Sequence, residues 1–466
     1  MDSARAVADL MVFAAKMLQR IWAAFEKYGK DCDPRLLETL IEQEVKALGA
    51  AILEVGWRLR MQGRPVPPHL ACTCGHVQHR IGRRPITVQG VLGPVELTER
   101  YYYRCDRCRA SGFWGDDLRG AGRYTQLAEE RMALVGKEMP YQKASELLGR
   151  LEILEAAGST IRKVCVRLGQ RARELLDRET AEQYGAATVR PEEQAEGLAI
   201  SVDGVMVGRV DPQHRRRRSR KTGRKVRGKT GLHHFFQEVK ALVVFSFDRG
   251  GEGLRKTYHA TQARVGEFRE KVCLEACRRG AETARRLVFL GDGAPWIWKT
   301  AAECFPKAIQ VLDWYHAMEH LWAVGRARFG ANEVAVCAWV KKREKELWEG
   351  RVEAVLQALR EVAGKLGKPD PRLKEEARER DPKWIAYHNV GYFEENQHRM
   401  DYPRYRAENL PIGSGVVESS CRHVVGDRLK RAGMRWDEEG GEDLLALRCL
   451  DLNGRWDGLW PLKVSA

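Results

Sequence analysis

Three carboxylates stand where they could share metal ions: Asp203 in LAISVDGVMVG, Asp292 in RRLVFLGDGAPWIW and Glu418 in LPIGSGVVESSCR. The first two lie at or just past the C-terminal ends of apolar, β-branched runs, and the third opens a helical segment. Hard oxygen ligands converging from separate elements are what a pair of Mg²⁺ (or Mn²⁺) ions requires. Strand ends aim side chains into a common crevice, as binding sites in α/β sheets commonly do. Each residue also has a plainer reading. An Asp in a DG or GDG step ordinarily stabilises its own turn, and a Glu at a helix start favours the macrodipole. Their order on these three elements favours the shared-metal reading.

A second cluster consists of Cys72, Cys74, Cys105 and Cys108, two short-spaced pairs joined by alternating runs that read as a hairpin. Four thiolates delivered by two knuckles make the closed tetrahedral shell of a structural zinc site. The first pair is C-x-C, so His76 or His79 could replace one thiolate.

The elements that must position these groups follow from periodicity. Segments 197–210 and 237–248 read as antiparallel strands, a helical run follows, and 285–293 and 306–316 read as two further strands. A meander followed by alternating helix and strand fits an RNase H-like α/β sheet. The stretch of about a hundred residues before Glu418 is too long for a structureless loop, so it reads as a helical insertion. Its Trp339, Trp348 and Trp384 suit either base stacking or a helical core.

The expected organisation is α/β and multidomain: an N-terminal helical region (1–65), a zinc-ribbon-like domain (66–118) and a helical region with a helix-turn-helix outline (119–195). An RNase H-like core then runs in two parts (196–328 and 409–440) around the helical insertion (329–408), before a C-terminal tail (441–466). In the third region, one helix should end near Leu151 and another begin after Thr160, offering Thr160, Arg162, Lys163 and Arg167 to phosphates or bases. A plain helical hairpin with a basic face fits the same pattern.

A net charge of +16 favours a polyanionic partner. The charge is concentrated in HRRRRSRKTGRKVRGK at 214–229, which holds ten Lys or Arg and no acid. Arg215, Arg216, Arg217, Arg218, Arg220, Lys221, Arg224 and Lys225 are expected to grip phosphates in a salt-dependent way, as are Arg428, Lys430 and Arg431. No apolar stretch is long enough to span a bilayer, and MDSARAVADL has no signal-peptide pattern. A reducing, nucleoid-associated cytoplasmic setting is therefore expected, with the twelve cysteines as thiols or metal ligands rather than disulfides.

GDGAPWIW, DWYHAMEHLW, PIGSGVVESSCRHVVGDRLKRAGMRW and LRCLDLNGRWDGLW resemble the ISKra-type transposases of bacterial insertion sequences. More broadly they resemble the DDE transposases of the Mutator and hAT groups, and the likeness runs from the paired cysteines through RWDGLW. The resemblance implies that Asp203, Asp292 and Glu418 form a catalytic triad holding Mg²⁺. It implies cleavage of double-stranded DNA at element ends, joining to target DNA, and a homo-oligomer. Asp313-Trp314-Tyr315-His316 matches the DxxH motif of those groups, with His316 near the scissile strand and Asp313 orienting it; a packed core histidine is the other reading. The basic run at 214–229 matches no family motif. The alternative is a nuclease without strand transfer, or a DNA-binding descendant that has lost catalysis.

Overall fold

Helical and alternating periodicities take turns along the chain, and the elements follow them. The structure, a computed structural model, describes residues 3–28, 33–120, 122–184, 196–211, 233–250, 253–413, 421–431 and 434–460. Glu418 and the basic run at 214–229 lie outside the described residues. The chain is mixed α/β and divides into two units, Met1–Cys165 and Val166–Ala466, a boundary inside the region read as 119–195.

The first unit opens with α1 (Ser3–Tyr28) and α2 (Pro34–Gln62). Asp33 caps α2 by accepting from the Arg35 N–H, and Pro34 takes a first-turn position where its missing N–H is no loss. Next come β1 (His69–Ala71), β2 (Val77–Arg83), β3 (Ile86–Gly90), β4 (Gly93–Leu97), β5 (Tyr101–Cys105) and β6 (Ser111–Trp114). Strands β1-β2-β5-β6 form one antiparallel sheet, while β3 and β4 pair separately. Ala50, Trp57 and Met61 of α2 bury themselves against Val88, Val95 and Leu97 of that second pair. Helices α3 (Gln126–Gly136) and α4 (Tyr141–Arg150) precede α5 (Gly158–Tyr184), on which Arg162 and Lys163 are exposed.

In the second unit, β7 (Gly197–Asp211), β8 (His233–Phe247) and β9 (Gly253–Thr261) form an antiparallel meander. Helix α6 (Val265–Arg278), β10 (Arg286–Gly291), α7 (Pro295–Cys304) and β11 (Ile309–Leu312) follow. The sheet order is β11-β10-β7-β8-β9, with β10 parallel to both its neighbours. Leu198, Ala199, Ile200, Ser201 and Val202 are all buried, so β7 is covered on both faces, as its near-continuous apolar run requires. Strand β9 was not among the expected strands: Lys256 and His259 interrupt its apolar pattern, and pairing with β8 overrides that local signal.

After α8 (Trp314–Phe329) come α9 (Glu333–Trp348), α10 (Val352–Leu366) and α11 (Pro382–Asn396), followed by the short α12 (Tyr402–Ala407). Their apolar faces meet through Val336, Leu347, Leu356, Leu359 and Phe393, all buried. Trp339 is buried and Trp384 stacks on His388, while Trp348 packs edge-on against Trp314 under the Arg406 guanidinium.

Three expectations are corrected. Residues 441–466 do not form a tail through their described part: α13 (Glu438–Leu452) packs on β9 and buries Leu444, Leu445, Leu447, Cys449 and Leu450. Arg428 is not on a surface available to phosphate; it is fully buried, with its guanidinium over the Trp436 ring, whereas Lys430 and Arg431 are exposed. Finally, Cys273 of α6 and Cys304 of α7 form a disulfide rather than free thiols. No described helix is long and apolar enough to cross a membrane.

Candidate active site and metal centre

Strand register builds the acidic site. Ser201 of β7 is level with Leu290 of β10, so two residues further along, Asp203 stands level with Asp292 and on the same face. Gly291 is level with Leu312 of β11, and the Asp313 N–H continues that pairing by donating to the Gly291 carbonyl at 2.9 Å. Asp203, Asp292 and Asp313 thus form one row across three adjacent strands, each step about 4.8 Å. His316 follows one turn into α8. Its position is fixed because the Asp313 carboxylate caps that helix, accepting from the N–H groups of Tyr315 (2.7 Å) and His316 (3.3 Å).

The row is electrostatically loaded. Burial pushes the Asp203 carboxyl up, and the Asp292 charge pushes it further. The Cys421 thiol, the Gly204 N–H at 2.6 Å and the His316 charge act the other way. Cys421 lies three positions beyond Glu418 in the chain. Its own thiol is held well above the usual range by burial, then by the Asp203 charge. A buried carboxylate whose proton affinity rises beside a second carboxylate is suited to a cation.

His316 is the positive counterpart. Asp313, whose Oδ1 stands 3.8 Å from Nδ1, is the chief cause that raises the imidazole to about 9; Asp292 and Asp203 add to it, and burial opposes it. At 3.8 Å the pair is a close charge contact rather than a hydrogen bond, and both His316 Nδ1 and Asp313 Oδ2 lack hydrogen-bond partners. Because the folded value lies above the unfolded one near 6.5, the charged ring stabilises the fold below that pH, and the contribution is lost as pH rises through about 9. In metal-free protein, histidine NMR should therefore show one ring titrating near 9, absent from His316→Gln. Adding Mg²⁺ should lower that value, since a cation on Asp203 and Asp292 cancels part of the field that raised it. A ring titrating near 6.5 in the metal-free protein would contradict this account.

The helical insertion reaches into the site through Tyr392 of α11, whose hydroxyl donates to the Asp292 carbonyl at 2.6 Å. The same ring stacks on His320 at 3.8 Å between centroids, and His320 Nδ1 lies 2.6 Å from Asn389 Oδ1. Gly293 makes this approach feasible. Its φ is +107°, and a Cβ there would stand 2.4 Å from the Tyr392 ring. Gly293→Ala is expected to destabilise the chain by about 2–3 kcal/mol, from backbone strain and displacement of Tyr392. Tyr392→Phe, which only leaves a part-buried carbonyl without this donor, should cost about 1 kcal/mol. Denaturant melts check the order; equal losses would show that the glycine serves only the turn.

The cysteine cluster belongs to the first unit. Cys72 and Cys74 sit between β1 and β2, where Gly75 (φ +82°) turns the chain. Cys105 ends β5, and Cys108 lies in the turn to β6, where Arg109 adopts φ +61°. Pairing of β2 with β5 brings the two turns together. The Sγ separations are 3.4 Å for Cys72–Cys108 and Cys72–Cys74, and 3.7 Å for Cys74–Cys105. Ligands ~2.3 Å from one tetrahedral ion stand about 3.8 Å apart, so the set fits a structural metal such as zinc. The Cys74 backbone N–H, then the Cys108 thiol, lower Cys72 to about 6, whereas Cys74 and Cys108 are held above their usual range, so the set without metal favours a single thiolate. His76 Nδ1 is 3.7 Å from Cys74 Sγ and its Nε2 lies 2.8 Å from Arg107 Nη1; His79 faces His69. Four thiols suffice without either.

Among the described residues, this is the one set of three or more metal-ligating side chains whose ligand atoms lie within 4.8 Å of each other. The acidic row contributes Asp203 and Asp292, and Glu418 is outside the described residues. Cys421, Tyr392 and the His320–Asn389 pair were not among the expected site residues. Cys421 had a local signal in ESSC, next to the third carboxylate; Tyr392 lies 100 residues from Asp292, with no local pattern to mark it. Neither the models of known protein families nor the curated proteins yield a match to this chain.

Proposed function

We propose that this chain is a DDE-type DNA transposase with an RNase H-like core. The observation that carries the reading is the level row of Asp203, midway along β7, with Asp292 and Asp313, each just past the end of its strand, and a charged imidazole beside it. A three-stranded meander extended by two parallel strands is the sheet order such a core calls for. Asp203 and Asp292, with Glu418 from the ESSC segment, would hold Mg²⁺. When bound, the ions supply a more acidic water or DNA hydroxyl and offset charge at phosphorus.

The chain's own groups do the remainder. Asp313 holds His316 protonated, and the imidazolium offers a positive N–H to a phosphate oxygen or a departing 3′-oxygen. The buried Cys421 thiol donates to the Asp203 carboxylate and helps hold it in place. Tyr392 fixes the Asp292 backbone, and thereby the aim of its carboxylate. Lys430, Arg431 and the basic run at 214–229 supply cations for the DNA backbone. Zinc on Cys72, Cys74, Cys105 and Cys108 would clamp the two turns of the small sheet.

The test is incubation of the full chain, with Mg²⁺ and without it, on duplex DNA carrying the sequences that flank its coding region. Metal-dependent cleavage at those ends, followed by joining to a second duplex, is expected. Cleavage without joining would replace this reading with a nuclease, and binding without any cleavage with a catalytically inactive DNA-binding protein.

A further inference from the structure

Helix α1 has two apolar faces, and the described residues cover only one. Ala6 and Met17 are buried on the side that packs with α2. On a separate stripe, Val7, Met11, Leu18, Trp22 and Phe25 are 54%, 68%, 61%, 66% and 40% exposed. With Ala14 included, positions 11, 14, 18, 22 and 25 keep one face of the helix, and their spacing reads the same in both directions about Leu18. Arg5, Asp9, Lys16, Arg20 and Lys27 fall on the other side of the helix. The indole N–H of Trp22 is already bonded to Glu26 Oε1 at 2.8 Å, so the ring presents only apolar surface.

We infer that this stripe is covered by α1 of a second copy of the chain, packed antiparallel across a twofold axis at Leu18. An isologous contact needs a self-complementary patch, and the symmetric spacing provides it. Leu18 would meet its own copy, small Ala14 the large Trp22, and the Met11 sulfur the Phe25 ring. No charge on the stripe is buried against itself, and no cation is there to receive a phosphate, which argues against nucleic acid as the occupant. Large side chains carry roughly 150–250 Å² each, so their exposed parts leave on the order of 1,000 Å² to bury in a helix pair, the lower bound of a specific interface.

The experiment is sedimentation of the full chain without DNA, together with site-directed cross-linking. The wild-type chain should sediment at twice the chain mass. Leu18→Glu/Trp22→Glu should sediment at the chain mass, or self-associate at least about thirtyfold more weakly, as loss of buried anchors implies. Val12→Glu, exposed on another side of α1, should stay dimeric. Leu18→Ala keeps helix propensity and should weaken association if the double variant fails to fold. Against the wild-type background of native cysteines, Leu18→Cys should cross-link to itself, and Met11→Cys only when mixed with Phe25→Cys. A wild-type chain that stays monomeric up to ~100 µM overturns the proposal. So does a dimer unaffected by the Leu18 and Trp22 changes, or a Met11→Cys chain that cross-links to itself as readily as Leu18→Cys. None of these readouts depends on cleavage, so this inference fails or stands apart from the proposed activity.

Discussion

Asp292→Ala should reduce Mg²⁺-dependent DNA cleavage by at least about a thousandfold, because a carboxylate that holds the reacting metal serves the transition state more than the ground state. Asp203→Ala should do the same, and neither change should weaken binding to DNA ends by more than a few-fold. Neither substitution should lower stability. Asp203 is strained by burial and by the Asp292 charge, so removing either carboxylate relieves repulsion in metal-free protein and should hold or raise its melting temperature. Single-turnover cleavage with matched melts checks both halves. An Asp292→Ala chain that still cleaves at the wild-type rate would end the assignment of the acidic row to catalysis. Loss of rate together with a collapsed melt would assign Asp292 to folding through its Ala294 N–H contact at 2.8 Å instead.

The second large effect is expected from metal removal at the cysteine cluster. Structural zinc contributes an apparent ~10–16 kcal/mol in small metal-dependent folds. The short strands β1, β2, β5 and β6 have few buried side chains of their own, with Tyr103 and Cys105 the most enclosed. Chelation, or Cys105→Ser, should therefore melt this sheet, while the sheet built on β7 stays folded. Elemental analysis should find one zinc per chain in the wild type and none in Cys105→Ser. Amide exchange should show loss of protection in 69–83 and 101–114 only. Zinc-free protein with unchanged protection there would mean that the four thiols are simply neighbours.

Several residues of the candidate site stand out in the sequence itself. Asp203 and Asp292 follow apolar runs, which reads as a strand end for each; Asp292 does stand just past β10, whereas pairing with β8 carries β7 on to Asp211 and leaves Asp203 midway along it. The cysteine pairs carried their own spacing. What stayed hidden depends on contacts distant in sequence. The row position of Asp313 comes from register with β10, which no local pattern encodes. Helix α13 looked like a tail because GGEDLLALRCLDL mixes glycine and charge. Asp443 and Arg448 are nevertheless buried, and Arg448 donates to the Val424 carbonyl at 2.9 Å. Arg428 reads as a surface cation in any sequence scale, yet Trp436, eight residues on, takes it inside. The Cys273–Cys304 bond joins two helices across 31 residues, and composition argued against it.

The hydrogen bond from Tyr392 to the Asp292 carbonyl spans 100 residues and bears on when the site comes into being during synthesis. A ribosome adding about 5–20 residues per second needs roughly 5–20 s to deliver the tyrosine after the aspartate. In that interval the nascent chain already carries Asp203 and Asp292 but has neither the ring that steadies the second nor Cys421 against the first. Local contacts close first and distant ones last. On the proposed function, a half-made chain would be a poor cutter of nucleic acid, and competence would arrive only after the helical insertion has folded back onto the sheet.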